Sequence, residues 1–118
     1  MNARLAIRSA LFVPALCTSV LLAAAATAEV DGKVVYDKSC AVCHGAEGHG
    51  DTPTGKALKT MDLGTKRWAS LEAVPEIAKA VREGVPRMPA MASKLAPEEI
   101  ESVARYTQQM AAARNPQQ

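Results

Sequence analysis

The sequence predicts a small all-α domain of three or four short helices. Two stretches, residues 70–83 and residues 97–110, carry apolar residues at helical spacing. The segments around them are rich in glycine and proline, which favours loops and turns over central strands. The third observation is a pentapeptide at residues 40–44 that contains two cysteines and a histidine. These thiol and imidazole groups indicate that the helices surround a site that binds a cofactor or metal, or that carries out redox chemistry.

The first predicted helix covers residues 32–39 and leads directly into the pentapeptide. A glycine-rich loop follows at residues 45–55, and residues 54–70 give no clear pattern. The next helix occupies residues 70–83, with its regular part beginning near Pro75, because proline is tolerated only near the start of a helix. The glycine at position 84 suits the end of this helix.

The last predicted helix begins at Pro97, a residue that suits the first helical turn. Ala96 is a poor N-cap, so we expect this start to fray. Glu101 and Arg105 have the spacing of an i,i+4 ion pair. Residues 115–118 are expected to form a loose tail.

The pentapeptide Cys40-Ala41-Val42-Cys43-His44 has the spacing of a c-type haem attachment site. One turn of backbone can present both thiols to one edge of a porphyrin, to whose vinyl groups they add. The imidazole that follows can then bind the iron. The alternatives are a redox-active pair, a disulfide and half of a zinc site. The zinc site lacks a second ligand pair, because Cys17 and His49 are the only other cysteine and histidine.

The chain resembles the small, soluble, monohaem class I cytochromes c of bacteria. The resemblance rests on three segments: residues 36–45 (YDKSCAVCHG), residues 84–91 (GVPRMPAM) and residues 95–106 (LAPEEIESVARY). It covers about residues 30–112 and implies the cytochrome c fold, with the helices wrapped around one covalently attached haem. It also implies that Tyr106 of the last helix contacts the first helix.

The resemblance implies a methionine as the second axial ligand of the iron. Met88 lies between Pro86 and Pro89, and in the family the ligand is the methionine that precedes Pro-Ala. Met91 is the competitor and is expected to pack against the haem. A thioether opposite an imidazole favours ferrous iron and raises the reduction potential. A third possibility is that both methionines only pack and the sixth position of the iron is open.

Two further haem contacts are implied by the resemblance. The backbone carbonyl of Pro53 is expected to accept a hydrogen bond from Nδ1 of His44, which would orient the ring. Trp68 is expected to donate its indole N–H to a haem propionate, or otherwise to pack in the core. His49 is interpreted as an exposed loop residue, with a competing ligand as the alternative.

The first 28 residues have the pattern of a cleaved signal peptide. Arg4 and Arg8 form a basic start, an apolar run covers residues 10–26, and small residues precede Glu29. The run has 17 residues, fewer than the roughly 20 of a membrane span. Residues 29–118 are therefore the predicted mature domain, and the periplasm, where such haems are attached, is its predicted location.

The mature chain is neutral and poor in aromatic residues. Without the leader, Lys plus Arg falls from 14 to 12, which equals the number of acidic residues. Only Tyr36, Trp68 and Tyr106 remain as aromatics, so a porphyrin would supply much of the apolar bulk of the core. The dispersed basic residues give no indication of nucleic-acid binding.

These observations predict a one-electron carrier with a c-type haem and with His44 and Met88 as axial ligands. Because both axial positions are filled, the chain itself is not expected to be an enzyme. The partners are expected to be redox proteins, with no stable membrane insertion after cleavage and a monomeric state. Two alternatives stay open: the haem subunit of a periplasmic dehydrogenase complex, and a haem sensor or peroxidase with a labile methionine.

Overall fold

A computed structural model describes residues 28–116, so that the predicted leader lies outside the described residues except for Ala28. The elements are helices α1 (Gly32–Ser39), α2 (Ala41–His44) and α3 (Pro53–Leu58), a 3₁₀ turn (Lys66–Trp68), and helices α4 (Ala73–Glu83) and α5 (Pro97–Arg114). Residues 28–116 contain no β-strand, which confirms the predicted all-α class. The prediction of three or four helices missed α3 and the separate short helix α2.

Helices α1 and α5 cross closely at Gly32. A Cβ atom placed on Gly32 would lie 2.3 Å from the carbonyl oxygen of Ser102, so the two backbones approach as near as they do only because this residue is glycine. One turn away, the rings of Tyr36 and Tyr106 meet with centroids 5.3 Å apart at 56°. The predicted contact between the first and last helices is confirmed.

Helices α4 and α5 enclose the main apolar core. The buried positions of α4 follow its helical period, and they face buried residues of α5. These core residues are Ala73, Ile77, Ala78 and Val81 of α4 and Ile100, Val103, Ala104 and Ala111 of α5. The side-chain amide of Gln108 donates to the carbonyl of Ala69 at 2.7 Å and so attaches α5 to the segment that follows the 3₁₀ turn.

Contacts at three positions of α5 and its ends, residues 96, 101 and 115, differ from the predictions. The start of the helix is held, because the Glu99 carboxylate accepts a hydrogen bond from the Ala96 N–H at 2.8 Å. Glu101 pairs with Arg82 of α4 at 3.2 Å instead of pairing along its own helix. Asn115 is anchored, since its amide donates to the carbonyl of Gly64 at 3.0 Å and to that of Ala111 at 2.8 Å.

Among the described residues, no helix has the length and apolar character needed to cross a membrane.

Candidate haem-attachment site

The predicted attachment residues share one short turn of helix. Cys40 lies at the junction of α1 and α2, and its carbonyl accepts hydrogen bonds from Cys43 N at 3.1 Å and His44 N at 2.9 Å. Both thiols are free and half-buried, so the disulfide alternative is not formed. Burial and the neighbouring Cys43 raise the pKa of the Cys40 thiol to about 11, so Cys40 carries its proton at neutral pH.

The environment of His44 favours a neutral imidazole. Burial lowers the pKa of the ring, and the Met61 backbone, which acts in the opposite direction, offsets this only in part. The Nδ1 atom is buried, and no hydrogen bond of ordinary geometry reaches it. A neutral imidazole is suited to metal binding, since only the unprotonated ring is a ligand.

The predicted hydrogen bond between His44 and the Pro53 carbonyl is not formed. Pro53 is exposed and begins α3, whereas the backbone group that acts on the His44 ring belongs to Met61. Nδ1 of His44 has no hydrogen-bond partner in the structure, and an acceptor for this ring nitrogen stays a prediction.

Thr52 joins the α2 turn to α3. Its hydroxyl accepts from Gly55 N at 2.9 Å, which caps α3, and donates to the carbonyls of Val42 at 2.9 Å and Cys43 at 3.2 Å. Gly55 then packs against α2 so closely that a Cβ atom would lie 2.2 Å from the Cys43 carbonyl oxygen. The sequence analysis did not identify either residue, although Thr-Pro is a common start of a helix.

The residues present fit a haem better than a zinc ion. Within residues 28–116, no group of three or more His, Cys, Asp or Glu side chains is placed to hold a metal ion. The set at the α2 turn is two unpaired thiols and one neutral imidazole, at the first, fourth and fifth positions of the motif. That set matches two covalent attachments and one axial bond.

Met88 lies at the end of a tight turn. Val85 and Met88 exchange two backbone hydrogen bonds, of 3.1 and 2.9 Å, around Pro86 and Arg87. Arg87 has φ +70°, a left-handed conformation that costs a non-glycine residue about 1–2 kcal/mol. The turn is thus defined by Pro86 and by this strained position, and Met88 packs half-buried against the core.

Met91 is held in a different way. Its N–H donates to the carbonyl of Val81 in α4 at 2.9 Å, and its own carbonyl accepts from Leu95 N at 2.9 Å. Its side chain is also half-buried against the core. Met91 therefore connects the loop to the end of α4, whereas Met88 belongs to the tight turn that starts at Val85.

The two remaining predicted residues, Trp68 and His49, lie apart from the α2 turn in sequence. Trp68 is buried in the core with the guanidinium of Arg67 4.5 Å from its ring centroid, and its indole N–H forms no hydrogen bond within residues 28–116. His49 is exposed, as predicted, and lies beside Asp62 and Arg114.

Residues 27–106 match the model of the family described as cytochrome c oxidase, cbb3-type, subunit III. The chain belongs to this family of c-type cytochromes. It is 40% identical over 83 residues to cytochrome c6 of Nostoc sp., with 70% of this chain and 71% of the relative covered. It is 36% identical over 75 residues to cytochrome c6 of Gracilaria tenuistipitata, with 64% of this chain and 66% of the relative covered.

A solved structure, the KustC0563 c-type cytochrome, superposes on this cytochrome with a TM-score of 0.60 at 27% identity, covering 69% of this chain and 98% of the other. The predicted family and the cytochrome c fold are therefore confirmed. Family membership also confirms the predicted class of protein, an electron-carrying cytochrome rather than an enzyme, and it implies covalently bound haem c.

Proposed function

We propose that this cytochrome is an exported, monomeric one-electron carrier with a single haem c, attached to Cys40 and Cys43 and bound axially by His44 and Met88. The observation that carries the proposal is the α2 turn, where two free thiols and a neutral, half-buried imidazole share one helical turn. When bound, the haem supplies the iron that alternates between the ferric and ferrous states.

The protein side chains provide the environment for that iron. Six large apolar side chains are exposed in the described residues: Val34, Val42, Leu58, Met61, Leu71 and Val85. Val42, Met61 and Val85 belong to segments that carry or touch the proposed ligands, which supports an apolar group lying over them. The soft sulfur of Met88 would favour ferrous iron and hold the potential high. Trp68 and Pro53 keep supporting places, as core packing and as the start of α3.

The proposed location and partners are supported by sequence and charge. The basic start and apolar run of residues 1–28 support export to the periplasm. Lys56, Lys59 and Lys66 are exposed, and with Arg67 they give residues 56–67 a local positive excess over Asp62. Such a stretch favours redox partners with acidic docking faces, approached fastest at low salt.

The test is mass spectrometry of the mature protein from an exporting host. The expected result is a chain beginning near Glu29 with the mass of one haem added, and the haem should resist extraction by acid acetone. A variant with both Cys40→Ala and Cys43→Ala is the control, and it should carry no haem after the same extraction. If the wild-type haem is extracted, the attachment proposal is wrong.

A second candidate is an electron-transfer subunit of a larger redox complex. The observation that favours it is the description of the matching family, which names a subunit of an oxidase. The carrier and the subunit would bind the same haem, so they differ in assembly alone. Purification from the native membrane and periplasmic fractions decides between them: a constant ratio to one other protein supports the subunit, and elution as a monomer supports the carrier.

A further inference from the structure

Helix α2 is too short to satisfy its own last carbonyl groups. A helix leaves its last four carbonyl oxygens without a donor inside the helix, and α2 has only four residues. The Ala41 oxygen accepts from Gly45 N at 2.9 Å at the end of the helix. The carbonyls of Val42, Cys43 and His44 therefore need donors from elsewhere in the chain.

The segment that returns after His44 supplies those donors. The N–H of Gly50 donates to the His44 carbonyl at 2.8 Å. The Thr52 hydroxyl lies 2.9 Å from the Val42 oxygen and 3.2 Å from the Cys43 oxygen, and it has one proton to share between them. Among the described residues, no backbone N–H donates to either of these two oxygens. The hydroxyl of one threonine thus holds the backbone of the second attachment cysteine, directly before the residue that carries the imidazole.

Two glycines fix the place of the Thr52 hydroxyl. A Cβ atom on Gly50 would lie 2.5 Å from the carbonyl oxygen of Thr60. A Cβ atom on Gly55 would lie 2.2 Å from the Cys43 carbonyl oxygen and 2.6 Å from that of Gly50. The Thr52 hydroxyl also accepts from Gly55 N at 2.9 Å, which caps α3. Backbone packs directly on backbone here, so the hydroxyl has little room to move relative to α2.

We propose that Thr52 is a positioning residue for the haem: the proton of its hydroxyl holds the backbone of Cys43 and His44, and thereby orients the thioether and the imidazole that these residues supply. The proposal rests on the proposed function, in which both residues bind the haem. The hydroxyl has two separate roles, because capping α3 uses its oxygen as an acceptor and positioning uses its proton. Substitutions can therefore remove one role and keep the other.

Three substitutions of Thr52 separate the two roles. Thr52→Val removes both the donor and the acceptor. Thr52→Asp keeps an acceptor for the Gly55 N–H but has no proton to donate at neutral pH, whereas Thr52→Ser keeps both functions. Thr54→Val is the matched control, because Thr54 is an exposed threonine of the same helix and is not the donor to the α2 carbonyls.

Hydrogen exchange and NMR of the ferric holoprotein measure the effect. The amides of Cys43 and His44, which close the α2 turn, should exchange about tenfold faster in Thr52→Val and Thr52→Asp, because the turn opens more often. The Gly55 amide should exchange faster in Thr52→Val alone. The hyperfine-shifted resonances of the haem methyl groups report the orientation of the axial imidazole, and they should move in Thr52→Val and Thr52→Asp. Thr52→Ser and Thr54→Val should match the wild type in every measurement.

The outcomes separate this proposal from the proposed function. Haem that acid acetone extracts from the wild type would remove the proposed function itself, whatever the variants do. With covalent haem present, exchange rates and methyl resonances of Thr52→Asp that match the wild type would overturn the positioning role and leave Thr52 as a helix cap. An equal rise in exchange at the buried Val103 amide of α5 would overturn it as well, because the loss would then be one of global stability.

Discussion

The segment after the haem motif and the methionine turn are held in different ways. Residues 40–64 are tied to distant parts of the chain: the Tyr36 hydroxyl donates to the Gly45 carbonyl at 2.7 Å, and Arg114 pairs with Asp62. Residues 84–91 are held by their own backbone turn and by backbone hydrogen bonds at its two ends, from Gly84 and Met91 to α4 and from Lys94 and Leu95 to the Met91 carbonyl. One side is thus cross-linked by tertiary contacts, and the other is defined locally.

This difference determines how easily each ligand segment can move while the rest of the fold stays intact. A ligand segment tied to α1 and α5 moves only when several contacts break together. A ligand on a local turn can leave while the rest of the fold stays intact, since few contacts depend on it. We therefore expect that, as the protein begins to unfold, the bond from the Met88 sulfur to the iron breaks first and the bond from His44 breaks last.

The largest expected effect comes from removing the sulfur of the local turn. Met88→Ala should abolish the weak far-red charge-transfer band of the ferric protein and lower the reduction potential, because the preference of the thioether for ferrous iron is lost. The covalent haem should remain, since the α2 turn is untouched. Visible spectroscopy and a redox titration of the exported holoprotein measure both effects.

Met91→Ala is the comparison that decides which of the two methionines binds the iron. It should keep the far-red band and cost at most about 2–5 kcal/mol of unfolding free energy from lost packing. If the band disappears in this variant and persists in Met88→Ala, the ligand assignment is reversed, although electron transfer by the haem would stand.

A smaller effect is expected from cutting one tertiary contact of the cross-linked segment. Tyr36→Phe removes the buried hydrogen bond to the Gly45 carbonyl and should cost about 0.5–1.5 kcal/mol, because Gly48 N still bonds the same oxygen at 3.2 Å. Urea unfolding of the holoprotein measures the loss. Tyr106→Phe is the control, since the Tyr106 hydroxyl forms no hydrogen bond in the described residues. Equal losses in the two variants would contradict the role given to the Tyr36 hydroxyl.

The smallest effect concerns pH. Arg114 lowers the pKa of Asp62 from 3.8 to about 2, so the stabilisation from this pair is complete above pH 3.8 and is lost as the pH falls towards 2. The pair is partly exposed, which limits its contribution to about 1 kcal/mol or less. Asp62→Asn should be less stable than the wild type at pH 7, and the two should converge near pH 2.

Asp51→Asn provides the matched control for that titration, because Asp51 is exposed and forms no ion pair within residues 28–116. Unfolding free energies of the three proteins, measured from pH 7 down to pH 2, give the comparison. A constant difference between Asp62→Asn and the wild type over the whole range would contradict the ion-pair explanation.

The sequence predicted those helices that have their own local signals. Helix α1 has the predicted bounds, α4 ends at the predicted glycine, and α5 starts at Pro97, because caps and apolar period are local properties. Helix α3 was missed because its only buried residue is Gly55, so it has no apolar face to detect. Its single sequence signal was Thr52 before Pro53.

At the site, too, features set by neighbouring residues could be predicted, and features set by tertiary contacts could not. The attachment motif is contiguous, so its geometry could be inferred from spacing alone. The hydrogen bond predicted from His44 to the Pro53 carbonyl is not formed, because whether a backbone carbonyl reaches Nδ1 depends on tertiary geometry, which sequence does not give. The pair of Asp62 and Arg114 joins residues 52 positions apart, which no pattern in a single sequence indicates.

The close crossing at Gly32 also has a consequence for chain entropy. The hydroxyl of Ser102 donates to the carbonyl of Val30, so this crossing closes a loop of 72 residues, at a cost of roughly 4 kcal/mol from the length-dependent part of loop closure. A bond from Met88 to a haem already held at Cys40 would reduce the open loop to about a third of that length. The same relation gives a saving of about 1 kcal/mol. Helix crossing and sulfur binding should therefore assist each other through the unfolded chain, without any contact between them.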